Sequence, residues 1–270
     1  MKGTAPIAAA LAALLGCTAT AVDTLTAHAS DSSSGAQSSG KPVRPMEKSP
    51  DLDLTAASVR HVPELGILVF EVRVAGTAGG TVPKPAGQMD GAPVLAYVFP
   101  TSLRAADVGF GDAKGIVALA ITSHPDFDDT PLFDENADRA YDDDGVVWHP
   151  HWVLLGEDER VAGGLSVRQF DPKDETITMP PTNPGMPMYM DSPGFGVATK
   201  GHALRVVVPL YRVSNTTRFE FDAVSAYLQV NTSDEGRPLL GVYEVYEVLS
   251  GDLSLPYSVV EGWSPAAEPG

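Results

Sequence analysis

The residues best equipped for chemistry lie between Ile121 and Leu155, in ITSHPDFDDTPLFDENADRAYDDDGVVWHPHWVLL. From His124 to Asp144 nine carboxylates stand against one base, Arg139, and a Trp-His-Pro-His-Trp segment follows at once. Asp134, Asn136 and Asp138 occupy alternate positions, and Asp142 and Asp144 continue the series. These are the places from which a calcium loop offers oxygens, with Ala140 able to supply a backbone carbonyl. A hard cation needs such a converging set, because six to eight oxygens must replace its water. The segment is not an EF-hand: Arg139 stands where the turn wants glycine, and Gly145 where the closing glutamate belongs. The alternative is a solvated acidic surface, although neighbouring acids repel unless a cation or solvent screens them.

Trp148-His149-Pro150-His151-Trp152 reads as a strand. Alternate residues of a strand share a face, which puts His149 and His151 together and Trp148 and Trp152 opposite. Two imidazoles on one face can chelate a transition metal. Pro150 removes a ladder donor, which suits a sheet edge or bulge. Further along, Met186, Met188 and Met190 offer thioethers at alternate positions. Thioether with imidazole suits copper, or the axial positions of a haem. The alternative is that the methionines fill gaps in the core and the histidines bond to backbone. Spacing does not say whether the two segments meet. On a sugar-binding reading, Trp148, Trp152 or Tyr189 would stack on sugar rings instead.

The elements that must position these residues are short and β-rich. Asp53 to His61 alternates, Pro63 to Gly66 turns, and Ile67 to Ala75 returns. Val94 to Phe99, Ile116 to Thr122, Val146 to Leu155, Leu165 to Phe170, Leu204 to Pro209, Ala223 to Val230 and Gly241 to Val248 follow. Only Leu103 to Ala106 and Ser254 to Val259 suggest a helical turn. Many short strands, with Gly, Pro and Asp between them and no long 3.6-residue period, predict an all-β domain: a single β-sandwich of immunoglobulin or jelly-roll kind.

Ahead of the domain, Lys2 and the apolar run Ile7 to Leu15 make an export signal, too short to span a bilayer. It ends in Leu14-Leu15-Gly16-Cys17, which resembles the lipobox of bacterial lipoproteins. The resemblance implies cleavage before Cys17, acylation of that cysteine, palmitate included, and a stable membrane anchor. With Thr18 rather than Asp after Cys17, it leans to the outer membrane in a Gram-negative cell. Cys17 is the single cysteine, so no disulfide staples the domain. Residues 18–50, rich in Ser, Gly and Pro, read as a disordered tether, residues 51–262 as the domain and 263–270 as a tail. A net charge of −17 argues against nucleic acid, which demands clustered Lys and Arg.

Asp51 to Val59 followed by Gly66 to Val72, and Arg205 to Leu210 followed by Phe219 to Ala223, resemble the opening and closing strands of DOMON and family-9 carbohydrate-binding modules. That resemblance implies an extracytoplasmic, periplasmic β-sandwich that binds a sugar or a haem. It carries over no catalytic residue. No Gly-x-Ser-x-Gly elbow, His-Glu-x-x-His pair or phosphate loop is present. His124 beside Asp126 or Asp128 could form an acid–base pair. The expectation is therefore a lipid-anchored binding protein, not an enzyme, with a calcium-shaped acidic loop and a His/Met site for copper or haem. A carbohydrate-binding module is the alternative, and a metal-dependent hydrolase the third reading.

Overall fold

The computed structural model describes residues 43–84, 89–125 and 147–262. Cys17, the acidic segment 126–146 with its candidate calcium ligands Asp134, Asn136, Asp138, Asp142 and Asp144, and the tail 263–270 lie outside the described residues.

The described chain is all-β. Its strands are β1 (Leu54–Val62), β2 (Ile67–Val74), β3 (Pro93–Pro100), β4 (Ile116–Ser123), β5 (His149–Glu157), β6 (Leu165–Val167) and β7 (Met190–Asp191). They continue with β8 (Val197–Lys200), β9 (Ala203–Pro209), β10 (Glu220–Phe221), β11 (Val224–Val230), β12 (Leu240–Val248), β13 (Tyr257–Ser258) and β14 (Val260–Glu261). A five-stranded sheet runs β14-β1-β2-β9-β8, and β10 pairs with β13. The second large sheet runs β4-β3-β11-β12-β6-β5-β7, and β4 also pairs with β5. That extra pairing closes six strands into a barrel, so the expected sandwich has one layer that curls on itself.

Strand alternation sorts the side chains of the closed layer into two compartments. Leu95, Tyr97, Phe99, Val117, Leu119, Ile121, Trp152 and Leu154 point outward and pack against Val59, Leu68, Phe70, Leu204 and Val206 of the five-stranded sheet. The Phe70 ring meets Phe99 edge-on at 5.2 Å and Trp152 at 6.2 Å. Residues one place away in sequence, such as Val94, Ala96, Ala118, Ala120, Val153 and Leu155, form a second apolar cluster inside the barrel.

Two local readings change. Ala105–Val108 makes a 3-10 turn that overlaps the expected one, but 254–259 makes no helical turn, and Tyr257 and Ser258 pair with β10. A β pairing wins there because Tyr257 packs on Phe221, 5.7 Å between centroids. Residues 43–50, assigned to the tether by composition, pack on the domain. Val43 and Met46 rest on the core, Tyr246 donates a hydrogen bond to the Met46 carbonyl, and Lys48 pairs with Asp53 and Glu247.

Candidate metal centre

Three histidines converge at one end of the barrel. Antiparallel pairing sets Thr122 opposite His149 and Ala120 opposite His151. His124 follows Thr122 by two residues and so takes the same face, the barrel interior. His124, His149 and His151 are all buried, and each offers a ring nitrogen within 4.8 Å of the others. Their ring centroids lie 4.5, 4.7 and 5.9 Å apart. Such a group can hold a metal ion.

Hydrogen bonds fix the rings. His124 Nδ1 lies 2.8 Å from the Pro125 carbonyl, and His149 Nδ1 lies 2.9 Å from the Val147 carbonyl. A carbonyl only accepts, so both Nδ1 atoms carry protons. The two Nε2 atoms then face each other at 2.9 Å. In rings of this tautomer both would present lone pairs, an arrangement that a cation between them would favour. His151 Nδ1 sits 2.9 Å from Ser192 Oγ. An Nδ1 held in this way is how metal-ligating histidines are commonly oriented from behind.

Trp148 sets where β5 begins. Its ring stacks on Tyr97 at 4.8 Å, and its Nε1 donates to the Gly79 carbonyl at 3.0 Å. Gly79 in turn donates to Tyr97 Oη, whose own proton goes to the Asp51 carbonyl. Burial pushes the Tyr97 phenol up to about 12, so it stays a neutral donor. Gly79 has φ +73, and a Cβ there would meet Trp148 Nε1 at 3.0 Å. Pro150 pairs with Ile121 on β4, while the partners of β5 on its other side begin only at Trp152. The missing N–H thus falls where a second ladder has not yet started, as its sequence position suggested.

The methionine segment does come to the histidines. Met186, Met188 and Met190 line a small cavity of about 20 Å³ together with Thr122, His124 and His151. Tight i to i+2 contacts, from Met188 N to the Met186 carbonyl and from Met190 N to the Met188 carbonyl, crimp the segment. Behind it, Asp191 is fully buried, accepting from Thr182 Oγ1 at 2.5 Å and pairing with Arg212 at 2.8 Å. Burial raises the Asp191 carboxyl, against the pull of Thr182 and Arg212.

The rings suggested for sugar stacking are not displayed. Trp152 is fully buried, Trp148 and Tyr189 are nearly so, and Tyr189 packs on Phe110 and Phe170. Their faces are occupied by the core, so a sugar could stack on them only by opening it.

His124 is the member of the cluster that spacing along one strand did not single out as a metal ligand. Its signal was parity: Ala118, Ala120, Thr122 and His124 alternate into one face, and a hairpin to the next strand brings that face to His149. Ser192 and Thr122 carried no comparable signal. No protein-family model, curated protein or solved structure matches the chain.

Proposed function

We propose that this is a transition-metal-binding protein of the bacterial cell envelope, anchored through an acylated Cys17, with copper as the favoured ion. The observation that carries this reading is the convergence of His124, His149 and His151, with two Nε2 atoms 2.9 Å apart and their Nδ1 protons given to carbonyls. Two nitrogens on a tetrahedral ion at about 2.0–2.1 Å lie about 3.3 Å apart, so a few tenths of an ångström of ring movement would admit one. Imidazole suits zinc and copper, and the nearby thioethers tilt the choice toward copper. The space beside them, about 20 Å³, favours an ion over a haem.

Elemental analysis of protein purified without chelator, followed by copper titration, tests the proposal. One tightly held copper per chain is expected, weakening on acidification because imidazoles must lose protons to ligate. His149→Ala with His151→Ala should abolish tight binding. A wild-type protein that takes up no transition metal would end this reading.

A further inference from the structure

We propose that the barrel interior is a second binding site, shaped for one unbranched alkyl chain carrying an oxygen head group. The head-group part rests on the metal reading above, whereas the chain part does not.

The interior holds a cavity of about 300 Å³. Side chains just fill a barrel of about eight strands, so one of six, being narrower, should be solid if lined by ordinary core residues. Here Ala96, Ala118, Ala120 and Ala226 are buried on the inner face and leave room. An empty apolar cavity destabilises a fold in proportion to its volume, so an occupant would offset a real cost. The walls are Val98, Val153, Val167, Val224, Leu228 and Val242, among others.

The cavity runs along the length of β4, which lines it from Ile116 to Thr122. The six steps along β4 from Ile116 near the mouth to Thr122 at the histidine end span about 20 Å. A cavity of about 300 Å³ reaching about 20 Å inside a barrel narrower than one of eight strands suits an elongated, apolar occupant. Ser102 and Gly115 are exposed at the rim, and Ile116, Leu165, Val245 and Val248 are half-buried there, which gives a route in. Leu253 and Leu255 lie across the same end with left-handed backbones, φ 58 and 53. A leucine adopts that conformation at a cost, and such costs gather at ligand clamps.

The far end is where polarity appears. Thr122 Oγ1 is buried and has no hydrogen-bond partner among the described residues. Thr122, His151, Met190 and Leu240 line both this cavity and the small one at the histidines. A head-group oxygen at the inner end would therefore meet the Thr122 hydroxyl and lie beside a metal held by His151.

The full chain carrying Cys17→Ser, prepared without detergent, should be titrated calorimetrically with 1-decanol and with decanoate. One saturable site for decanol is expected with or without chelator, and copper should strengthen decanoate but not decanol. Ala226→Leu, which fills the cavity, should weaken both at least tenfold and leave copper uptake intact. Should that variant misfold, Val224→Phe nearer the mouth makes the same test. Thr122→Val should weaken decanol about fivefold, the loss of one hydrogen bond. Absence of a saturable site for either compound, or binding indifferent to the filling substitutions, overturns the proposal. If decanol binds in the barrel while copper is never taken up, the chain site stands and the metal reading falls.

Discussion

His124 and His149 meet Nε2 to Nε2 at 2.9 Å, each with its other ring nitrogen donating to a backbone carbonyl. The β-ladder imposes this arrangement: Thr122 pairs with His149, and His124 stands two residues beyond. A cation between the rings, proton or metal, relieves the repulsion of two lone pairs. Metal binding by this group is therefore a competition with protons.

Ser192 Oγ meets His151 Nδ1, behind the third histidine of the cluster. Ser192→Ala should leave the fold intact and lower copper affinity about 10–100-fold, as loss of an orienting partner commonly does. Competition titration with a chelator of known affinity measures it. An unchanged affinity would mean that Ser192 merely packs against the ring.

Trp152 separates packing from sugar recognition. It is fully buried against Phe70, and Trp148 stacks on Tyr97. Trp152→Ala should cost about 3–5 kcal/mol in urea unfolding. Trp148→Ala should cost less, since this ring lies at the edge of the core. A folded Trp152→Ala variant of near wild-type stability that had lost binding to a glycan would restore the carbohydrate reading.

Much of this architecture was legible because strand parity is short-ranged. The alternation around His149 and His151 correctly set them apart from Trp148 and Trp152, and most strand positions matched to within a few residues. What the sequence did not disclose depends on pairing between distant segments. Closure of β4 onto β5 makes an interior, and nothing in the Ala118 and Ala120 alternation distinguishes a barrel lumen from a sandwich core. The meeting of Met186 to Met190 with the histidines likewise hangs on β7 pairing with β5, a relation between residues almost 40 apart in sequence. Residues 43–50 misled for the opposite reason: Pro and Ser composition says tether, while two apolar contacts and the Lys48 ion pairs hold them down.

Asp158 gives a pH dependence of defined sign. Hydrogen bonds from Arg160 hold its carboxyl below the ordinary value, with burial opposing and Ser166 assisting. The unfolded chain then binds more protons in the acid range. The contribution is thus complete above the ordinary carboxylate pKa, about 3.9, and is lost as pH falls through the depressed folded value. Asp158→Asn should cost about 1 kcal/mol at pH 7, discounted because Arg160 is nearly half exposed, and the gap to wild type should close toward pH 3. Asp222 runs the other way, since burial raises its carboxyl despite Ser250. Asp222→Asn should therefore compare better with wild type as pH rises. Urea midpoints across that range decide both, and a gap of constant size for Asp158→Asn would refute the linkage.

Membrane retention tests the anchor that the lipobox implies. Cys17→Ser should leave a precursor or a soluble product. Partition of the variant into detergent like the wild type would exclude acylation at Cys17.

The acidic segment can be tested through the histidines, because in sequence it lies between His124 and His149. The β4–β5 register sets the histidines that flank it beside each other. If calcium gathers Asp134, Asn136, Asp138, Asp142 and Asp144, millimolar calcium should raise the thermal midpoint, since a ligand of the folded state alone stabilises it by mass action. Asp134→Ala with Asp138→Ala should remove most of that shift. Calcium would also restrict the chain entering His124 and His149, so copper affinity should rise in its presence for the wild type and not for the double variant. Linkage requires the converse too, with copper tightening calcium by the same factor. A midpoint indifferent to calcium would reduce the nine carboxylates to a solvated surface. A calcium shift with no effect on copper would show a loop that binds its ion independently of the histidines it joins.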